Sequence, residues 1–382
     1  MISVFYLAWR YLRFHRWKTA LLIGAVAVSL YIPGGLWVLA KQGERHLAVR
    51  AERTPLLIGS RGSALELTLN SLYFRSKPIP PMTYADVRAV SDSGLGTPIP
   101  LYVRFKSKQD PIVATGSDYF DFRGLAVAAG TPLTRLGDCV LGWRVAKQRG
   151  LKPGDFVVSS PEQAFDVAGV APLRMRVVGV LAPADTADDD AIFVSLKTAW
   201  VIEGIGHGHD DVTKAHPGGP DPELTEYNEV TDENVTSFHF HGKPDDFPVS
   251  AVIVVPADEK SATRLLGRYQ AADNRCQIVE PSRVMADLLG TVVTVRTFAL
   301  AALAVVGAAT LMLLGLVQGL SLRLRRRELE TLHHIGGSRW RVGLLLASEG
   351  IGVLIIGGLL AVGLTLLTST FALEAVRYWL TR

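Results

Sequence analysis

Three long apolar stretches constrain this chain more than any other feature of its sequence. They run over residues 20–40, 291–319 and 342–371, and a helix needs about 20 apolar residues to cross a bilayer. The first has no charged residue, the second carries Arg296 near one end, and the third contains Glu349. Since 48% of the residues are hydrophobic and are concentrated here, the sequence predicts three membrane-spanning helices rather than core helices of a soluble protein.

The first 19 residues alternate aromatic and aliphatic side chains with basic ones, which is typical of a helix lying in the membrane interface. The alternative for the stretch at 20–40 is a cleavable signal peptide. The long aromatic lead and the segment 33–37, which lacks a small-x-small cleavage site, argue against that alternative.

Basic residues cluster beside the apolar stretches although the net charge is only +4. Arginine and lysine beside a membrane span mark its cytoplasmic face. Because the basic residues lie beside the spans, we interpret them as a topology signal rather than as a nucleic-acid-binding patch. We therefore expect segments 1–19 and 320–341 inside, and the domain 41–290 and the tail 372–382 outside. The clustered residues are Arg10, Arg13, Arg16, Lys18, Arg323, Arg325, Arg326, Arg327, Arg339 and Arg341.

The outer region has a mixed α/β pattern, so the predicted fold is a three-span α-helical transmembrane bundle plus a large mixed α/β extracytoplasmic domain. Residues 84–91, capped by Thr83, and 258–275 are predicted helices, and 65–74 could be helix or strand. Two patches, 182–190 and 203–247, are predicted loops. The predicted strands are 100–105, 138–141, 156–159, 175–181, 191–195 and 250–255.

Five of the nine histidines fall within the loop 203–247. In a strand, His239 and His241 would share one face, with Phe238 and Phe240 opposite. Imidazole and carboxylate are ligands for zinc and related divalent metals. The candidate ligands are His207, His209, Asp210, His216, His239 and His241.

Alternatives to a structural zinc site are a transient metal relay, a pH-sensing loop, and a solvated loop with incidental histidines. Catalysis is disfavoured because no general base or nucleophile accompanies the histidines. Cys139 and Cys276 show no metal spacing, and either a disulfide or two buried thiols fits them.

The sequence contains no P-loop, so no ATP site is expected in this chain. Its basic segment 325–349 breaks at Gly336-Gly337-Ser338, with Ser338 a candidate helix N-cap. This break predicts a short helix on the cytoplasmic surface, available for a partner that supplies the motor. Glu349 either pairs with a nearby arginine or has a transport role.

The segment 327–341, followed by Glu349 and Gly350, resembles the cytoplasmic coupling segment of the MacB/FtsX-type permeases of ABC transporters, the type VII or mechanotransducing class. In the outer region, residues 140–142 with Ala146, then 151–155, 177–181 and 190–194, are similar to the periplasmic core of that family. The order of spans and domain is also similar.

The resemblance implies a non-enzymatic permease subunit in the bacterial inner membrane that works as a homodimer with separate ABC ATPase subunits. ATP binding there would move the outer domain through the coupling segment, with no nucleic acid involved. The residues that the resemblance assigns to ATPase coupling are Arg325, Arg327, Glu328, Leu332, Ile335, Gly336, Gly337, Ser338, Arg339 and Glu349.

Two departures from the family pattern are visible. A fourth span is expected in the family, whereas residues 372–382 are too short and charged to cross. The histidine-rich insertion suggests a metal-related subgroup, acting on zinc or another divalent metal with a periplasmic metal-binding or adaptor protein, or on another envelope substrate. The competing functions are a membrane-anchored metal sensor or scaffold without an ATPase, and an envelope enzyme with catalytic zinc.

Overall fold

The computed structural model describes residues 2–75, 78–160, 172–208, 228–270, 274–324 and 339–380. The helices are α1 (Ile2–Phe14), α2 (Arg16–Glu52), α3 (Ala64–Tyr73), α4 (Tyr84–Asp92), α5 (Ser117–Arg123), α6 (Trp143–Arg149), α7 (Leu196–Ile202), α8 (Glu259–Tyr269), α9 (Pro281–Leu324) and α10 (Arg339–Leu380). Short 3-10 turns cover Ala187–Asp190, Val235–Ser237 and Pro244–Asp246.

The strands are β1 (Leu56–Ser60), β2 (Met82–Thr83), β3 (Gly96–Ser107), β4 (Asp110–Thr115), β5 (Val127–Gly130), β6 (Asp138–Leu141), β7 (Phe156–Val158), β8 (Leu173–Leu181), β9 (Ile192–Ser195), β10 (Gly206–His207), β11 (Asn228–Glu229), β12 (His239–Phe240), β13 (Pro248–Val249), β14 (Ala251–Pro256) and β15 (Cys276–Val279). The chain divides into a helical unit, Met1–Leu47 with Asp287–Arg382, and a mixed α/β unit, Ala48–Ala286. The fold class predicted from the sequence is confirmed.

Three helices of the helical unit are long and apolar enough to cross a membrane, over Arg16–Leu39, Leu300–Leu324 and Gly343–Phe371. The helix predicted for residues 1–19 is divided, because α1 ends at Phe14 and α2 begins at Arg16. At this junction the Thr19 hydroxyl donates a 2.9 Å hydrogen bond to the Leu12 carbonyl. That bond satisfies an acceptor that the end of α1 would otherwise leave unpaired.

Small residues on α10 allow α2 to approach it closely. A methyl group added at Gly357 would lie 2.7 Å from Val26 Cγ1 and 3.2 Å from the Ile23 carbonyl oxygen. Close approach through glycine is common between membrane helices, where dispersion contacts and polar bonds replace the hydrophobic effect. The Tyr31 and Thr368 hydroxyls are hydrogen-bonded at 2.9 Å across the same pair of helices.

The α/β unit is built on an 11-stranded mixed sheet with the order β11-β8-β6-β9-β4-β3-β14-β1-β15, and β5 and β7 also pair with β8. Its central strands are buried, as in β6, where all four residues lie in the core. Fully buried strands read as continuous apolar runs. Apolar clusters of described residues pack on the sheet, including one around β3, β4, β6, β8, β9 and α7 and another around β1, β14, α4 and α8.

The predicted cap of α4 is confirmed as a capping box, in which the Thr83 backbone N–H donates to Asp86 Oδ2 at 3.1 Å. The segment 65–74, for which the sequence left helix and strand open, is helical over Ala64–Tyr73. The helix predicted over 258–275 is too long, because α8 ends at Tyr269 and Gln270 is its C-cap. The prediction of a loop over 182–190 missed the 3-10 turn Ala187–Asp190 and its buried Asp188 and Asp189. Both cysteines are buried free thiols.

Candidate functional site

Three histidines meet on a two-stranded sheet at the surface of the α/β unit. Strands β10 and β12 pair antiparallel, with His207 directly opposite His239 and Gly206 opposite Phe240. The His241 backbone N–H donates to the Ile205 carbonyl at 2.9 Å, which extends the pairing by one residue. Directly opposed and i, i+2 positions share one face, so His207, His239 and His241 project together.

The imidazoles of this trio are close enough to share one ion. Their ring centroids are 4.7 Å apart for His207 and His239, 4.7 Å for His239 and His241, and 4.8 Å for His207 and His241. One nitrogen from each ring lies within 4.8 Å of the others, and all three side chains are accessible to solvent.

The opposite face of the same strands is anchored in the protein. Phe240 contacts the apolar core, with its ring centroid 6.4 Å from that of Trp200 and 6.1 Å from that of Phe247. A methyl group at Gly206 would lie 2.6 Å from the Phe240 ring, and one at Gly208 would lie 2.6 Å from the Phe238 ring. The glycines on both sides of His207 therefore make room for the two phenylalanines that hold the histidine face outward.

One histidine has its tautomer set by the backbone. His239 Nδ1 lies 3.2 Å from the Ser237 carbonyl oxygen. A carbonyl only accepts, so this hydrogen bond requires a proton on Nδ1 and leaves Nε2 as an electron-pair donor. Metal-binding histidines commonly donate their second ring N–H to a backbone carbonyl in this way.

The other predicted metal ligands, His209, Asp210 and His216, lie outside the described residues. So do the predicted coupling residues Arg325, Arg327, Glu328, Leu332, Ile335, Gly336, Gly337 and Ser338.

Two predicted coupling residues lie on α10. Arg339 is its first residue, and Glu349 is buried, with 2% exposure. A methyl group at Gly352 would lie 3.2 Å from Leu12 Cδ1, so the face of α10 that carries Gly352 packs on α1. Glu349 precedes Gly352 by three residues and shares that face.

A buried polar cluster that the sequence analysis missed lies within the α/β unit, where Arg50 in the last turn of α2 meets the 3-10 turn Ala187–Asp190. Arg50 Nη1 donates to Asp188 Oδ2 at 2.6 Å, and Arg50 Nη2 donates to Asp188 Oδ1 at 2.8 Å. The Tyr119 hydroxyl donates to Asp188 Oδ1 at 2.7 Å and accepts from Arg50 Nη2 at 2.8 Å. The partners are 138 residues apart, so no local spacing points to them.

The electrostatics of this cluster are those of a buried ion pair. Burial acts to raise the pKa of Asp188, but the Arg50 charge and the hydrogen bonds from Arg50 and Tyr119 outweigh burial and lower the pKa to about 2. Burial raises the pKa of Tyr119 above its ordinary value. Asp188 is therefore ionised and Tyr119 neutral at physiological pH.

Comparison with known proteins gives a family match and two structural likenesses. The sequence model of the MacB-like periplasmic core domain matches residues 41–225. The crystal structure of the periplasmic region of MacB from Actinobacillus actinomycetemcomitans is 15% identical, has a TM-score of 0.36, and covers 64% of this chain and 94% of that one. The extracellular domain of the noncanonic ABC-type transporter YknZ from Gram-positive bacteria is 14% identical, has a TM-score of 0.33, and covers 59% and 98%.

No curated protein matches the chain. The likeness therefore rests on the sequence model of the core domain, which matches residues 41–225. Those residues belong to the MacB-like periplasmic core domains, which are found in ABC transporter permeases.

Proposed function

We propose that this chain is a permease subunit whose extracytoplasmic domain is moved by ATP hydrolysis in a separate ATPase subunit. The observation that carries the proposal is the MacB-like periplasmic core domain matched over residues 41–225. The absence of a P-loop from the sequence is consistent with ATP binding in a second polypeptide. The chain itself then has no enzymatic activity.

We assign ATPase docking to the segment 325–341, on the strength of its basic residues and its position between the second and third apolar helices. Clustered juxtamembrane arginines favour a cytoplasmic location for this segment. That location corresponds to insertion in the inner membrane, with residues 41–290 in the periplasm. We further propose that two copies of the chain form a homodimer.

We propose the cargo class on the basis of a separate observation. The trio His207, His239 and His241 supports a role in handling zinc or another divalent metal, with a periplasmic metal-binding or adaptor protein as partner. Extraction or export of another envelope substrate is the alternative within the same permease function.

The second candidate function is a membrane-anchored metal sensor or scaffold that has no ATPase. The same histidine trio favours it, since an exposed ligand group on an anchored domain is sufficient for sensing. The two candidates differ in whether an ATPase partner exists.

Isolation of the tagged full-length chain from membranes of its native host discriminates between them. We expect a stoichiometric partner that carries the P-loop motif G-x-x-x-x-G-K-[ST] and hydrolyses ATP. The variant Glu328→Lys should no longer co-purify with that ATPase, because the charge reversal lies in the proposed docking segment.

The matched control is Glu259→Lys, which makes the same charge change at an exposed position of α8 in the extracytoplasmic domain. It should retain the ATPase at the wild-type level. Recovery of the chain without any P-loop protein, or equal recovery of the ATPase with both variants, would contradict the proposal.

A further inference from the structure

We propose that His207, His239 and His241 bind one divalent transition-metal ion, zinc by ligand preference, at an exchangeable site with an open coordination position. The inference goes beyond the permease function and does not depend on it. Its basis is the arrangement of the three rings on β10 and β12.

The donor set selects the class of ion. Three imidazoles suit zinc and its first-row neighbours, whereas calcium and magnesium require oxygen ligands. Three histidine ligands with the remaining position left to water or an incoming ligand form a known open zinc arrangement. An ion held in this way is accessible to an incoming ligand on its solvent side, unlike one enclosed by four protein ligands.

The geometry requires only side-chain adjustment to close on an ion. Zn–N bonds of about 2.0–2.1 Å at tetrahedral angles place ligand nitrogens about 3.3 Å apart. The nitrogens of the trio already lie within 4.8 Å of one another. The rings are solvent-accessible, so small rotations about the side-chain torsions can bring them together without moving the strands.

The strands themselves are fixed for reasons unrelated to the histidines. Phe240 packs on the core, and Gly206 and Gly208 admit the two phenylalanine rings. The hydrogen bond of His239 Nδ1 to the Ser237 carbonyl presents Nε2 of that ring as a ligand. The core contacts hold the backbone in place, and the carbonyl sets the tautomer of one ligand. Both features position a metal site before the ion arrives.

Binding would join distant parts of the sequence. An ion held by His207 on β10 and by His239 and His241 at β12 bridges the two ends of the segment that separates these strands. Such a bridge stabilises the pairing of β10 with β12 by an amount that grows with the logarithm of the metal concentration above the Kd. The extracytoplasmic domain would therefore respond structurally to free metal.

The test is a competition titration of Zn²⁺ against a chromophoric zinc indicator, using the full-length chain in lipid nanodiscs with a histidine-free tag. We expect one ion per chain with a Kd on the order of 1 μM or tighter. Co²⁺ alone should give the visible bands of four-coordinate cobalt, which incidental surface binding would not produce. Mg²⁺ should not displace either ion.

Single variants locate the site. Loss of an outer-shell partner alone reduces metal affinity by about 10–100-fold, so His207→Ala, His239→Ala and His241→Ala should each reduce it by at least about 100-fold. The control His15→Ala, at an exposed position between α1 and α2, should bind as the wild type does.

Two results would overturn the inference. One is a wild-type chain that binds no zinc at micromolar concentration and gives no four-coordinate cobalt spectrum. The other is wild-type affinity in all three histidine variants, which would place the ligands elsewhere in the chain. Folding of each variant is checked by its thermal transition without metal, which should match that of the wild type because the side chains are accessible.

Discussion

At the scale of single residues, the ion pair of Arg50 and Asp188 is a deeply buried charged contact of the α/β unit. Their side chains are only 6% and 1% exposed. Removing two charges from water is costly, and hydrogen bonds to the carboxylate from Arg50, from Tyr119 and from the Thr186 hydroxyl at 2.9 Å offset part of that cost. Removal of one partner leaves the other charge buried and unpaired.

We therefore expect Asp188→Asn to lower the free energy of unfolding by about 3–5 kcal/mol. Denaturant unfolding of the full-length chain, followed by tryptophan fluorescence, measures the change. The matched control is Asp232→Asn, which removes the carboxylate of an ion pair with Arg135 that is 76% exposed at Asp232. An exposed pair contributes about 0–1 kcal/mol, so similar losses in both variants would contradict this account.

The same pair gives a pH dependence with a definite sign. The pKa of Asp188 is lowered from 3.8 to about 2 in the folded protein, so its contribution is fully present above about pH 4. It is lost as pH falls through about 2, because protonation then removes the charge that Arg50 requires. As pH falls from about 4 to about 2, the difference in unfolding free energy between wild type and Asp188→Asn should become smaller. Above about pH 4 the difference should remain constant.

At the scale of elements, a glycine of α10 allows α2 to pack closely against it. Gly357 lies against Val26, whereas a methyl group added at the adjacent Gly358 would meet nothing within 4 Å in the described part of the chain. Gly357→Leu should therefore force the two helices apart. Overpacking of this kind costs about 1–3 kcal/mol.

Thermal unfolding of the full-length chain in detergent checks this expectation. Gly357→Leu should lower Tm by several degrees, and Gly358→Leu, which adds the same side chain one residue away, should leave it near the wild-type value. Equal shifts in the two variants would show that helix propensity or lipid contact, rather than contact with Val26, determines the effect.

Elements whose signals are local could be predicted from the sequence. The apolar stretches, the Thr83 cap and the alternation that puts His239 and His241 on one face all depend on residues within a few positions of each other. The pairing of β10 with β12 could not be predicted, because it joins His207 to His239 across a long segment and is fixed by the phenylalanine face. Asp188 was missed for the same reason, since Arg50 is 138 residues away.

At the scale of the whole molecule, the chain combines long apolar helices with a MacB-like periplasmic core domain. The central proposal is that ATP binding by a separate ATPase moves the extracytoplasmic domain. Conformational change in a transporter must be linked to a ligand that binds the two states with different affinity. In the proposed function, ATP bound to the partner would supply that difference.

The chain is suited to a direct distance measurement. Cys139 and Cys276 are buried in the α/β unit, and burial raises the pKa of the Cys276 thiol to about 11, so neither should take a label in the folded protein. Lys260→Cys, at an exposed position of α8, would then carry the only spin label in each copy.

The most direct test is the distribution of label-to-label distances in the reconstituted complex of two copies with their ATPase, with and without ATP. We expect ATP to shift the distribution in a complex whose ATPase binds but does not hydrolyse nucleotide. The shift should disappear when the chain carries Glu328→Lys. An identical distribution with and without ATP would contradict the claim that ATP binding by the partner moves this domain.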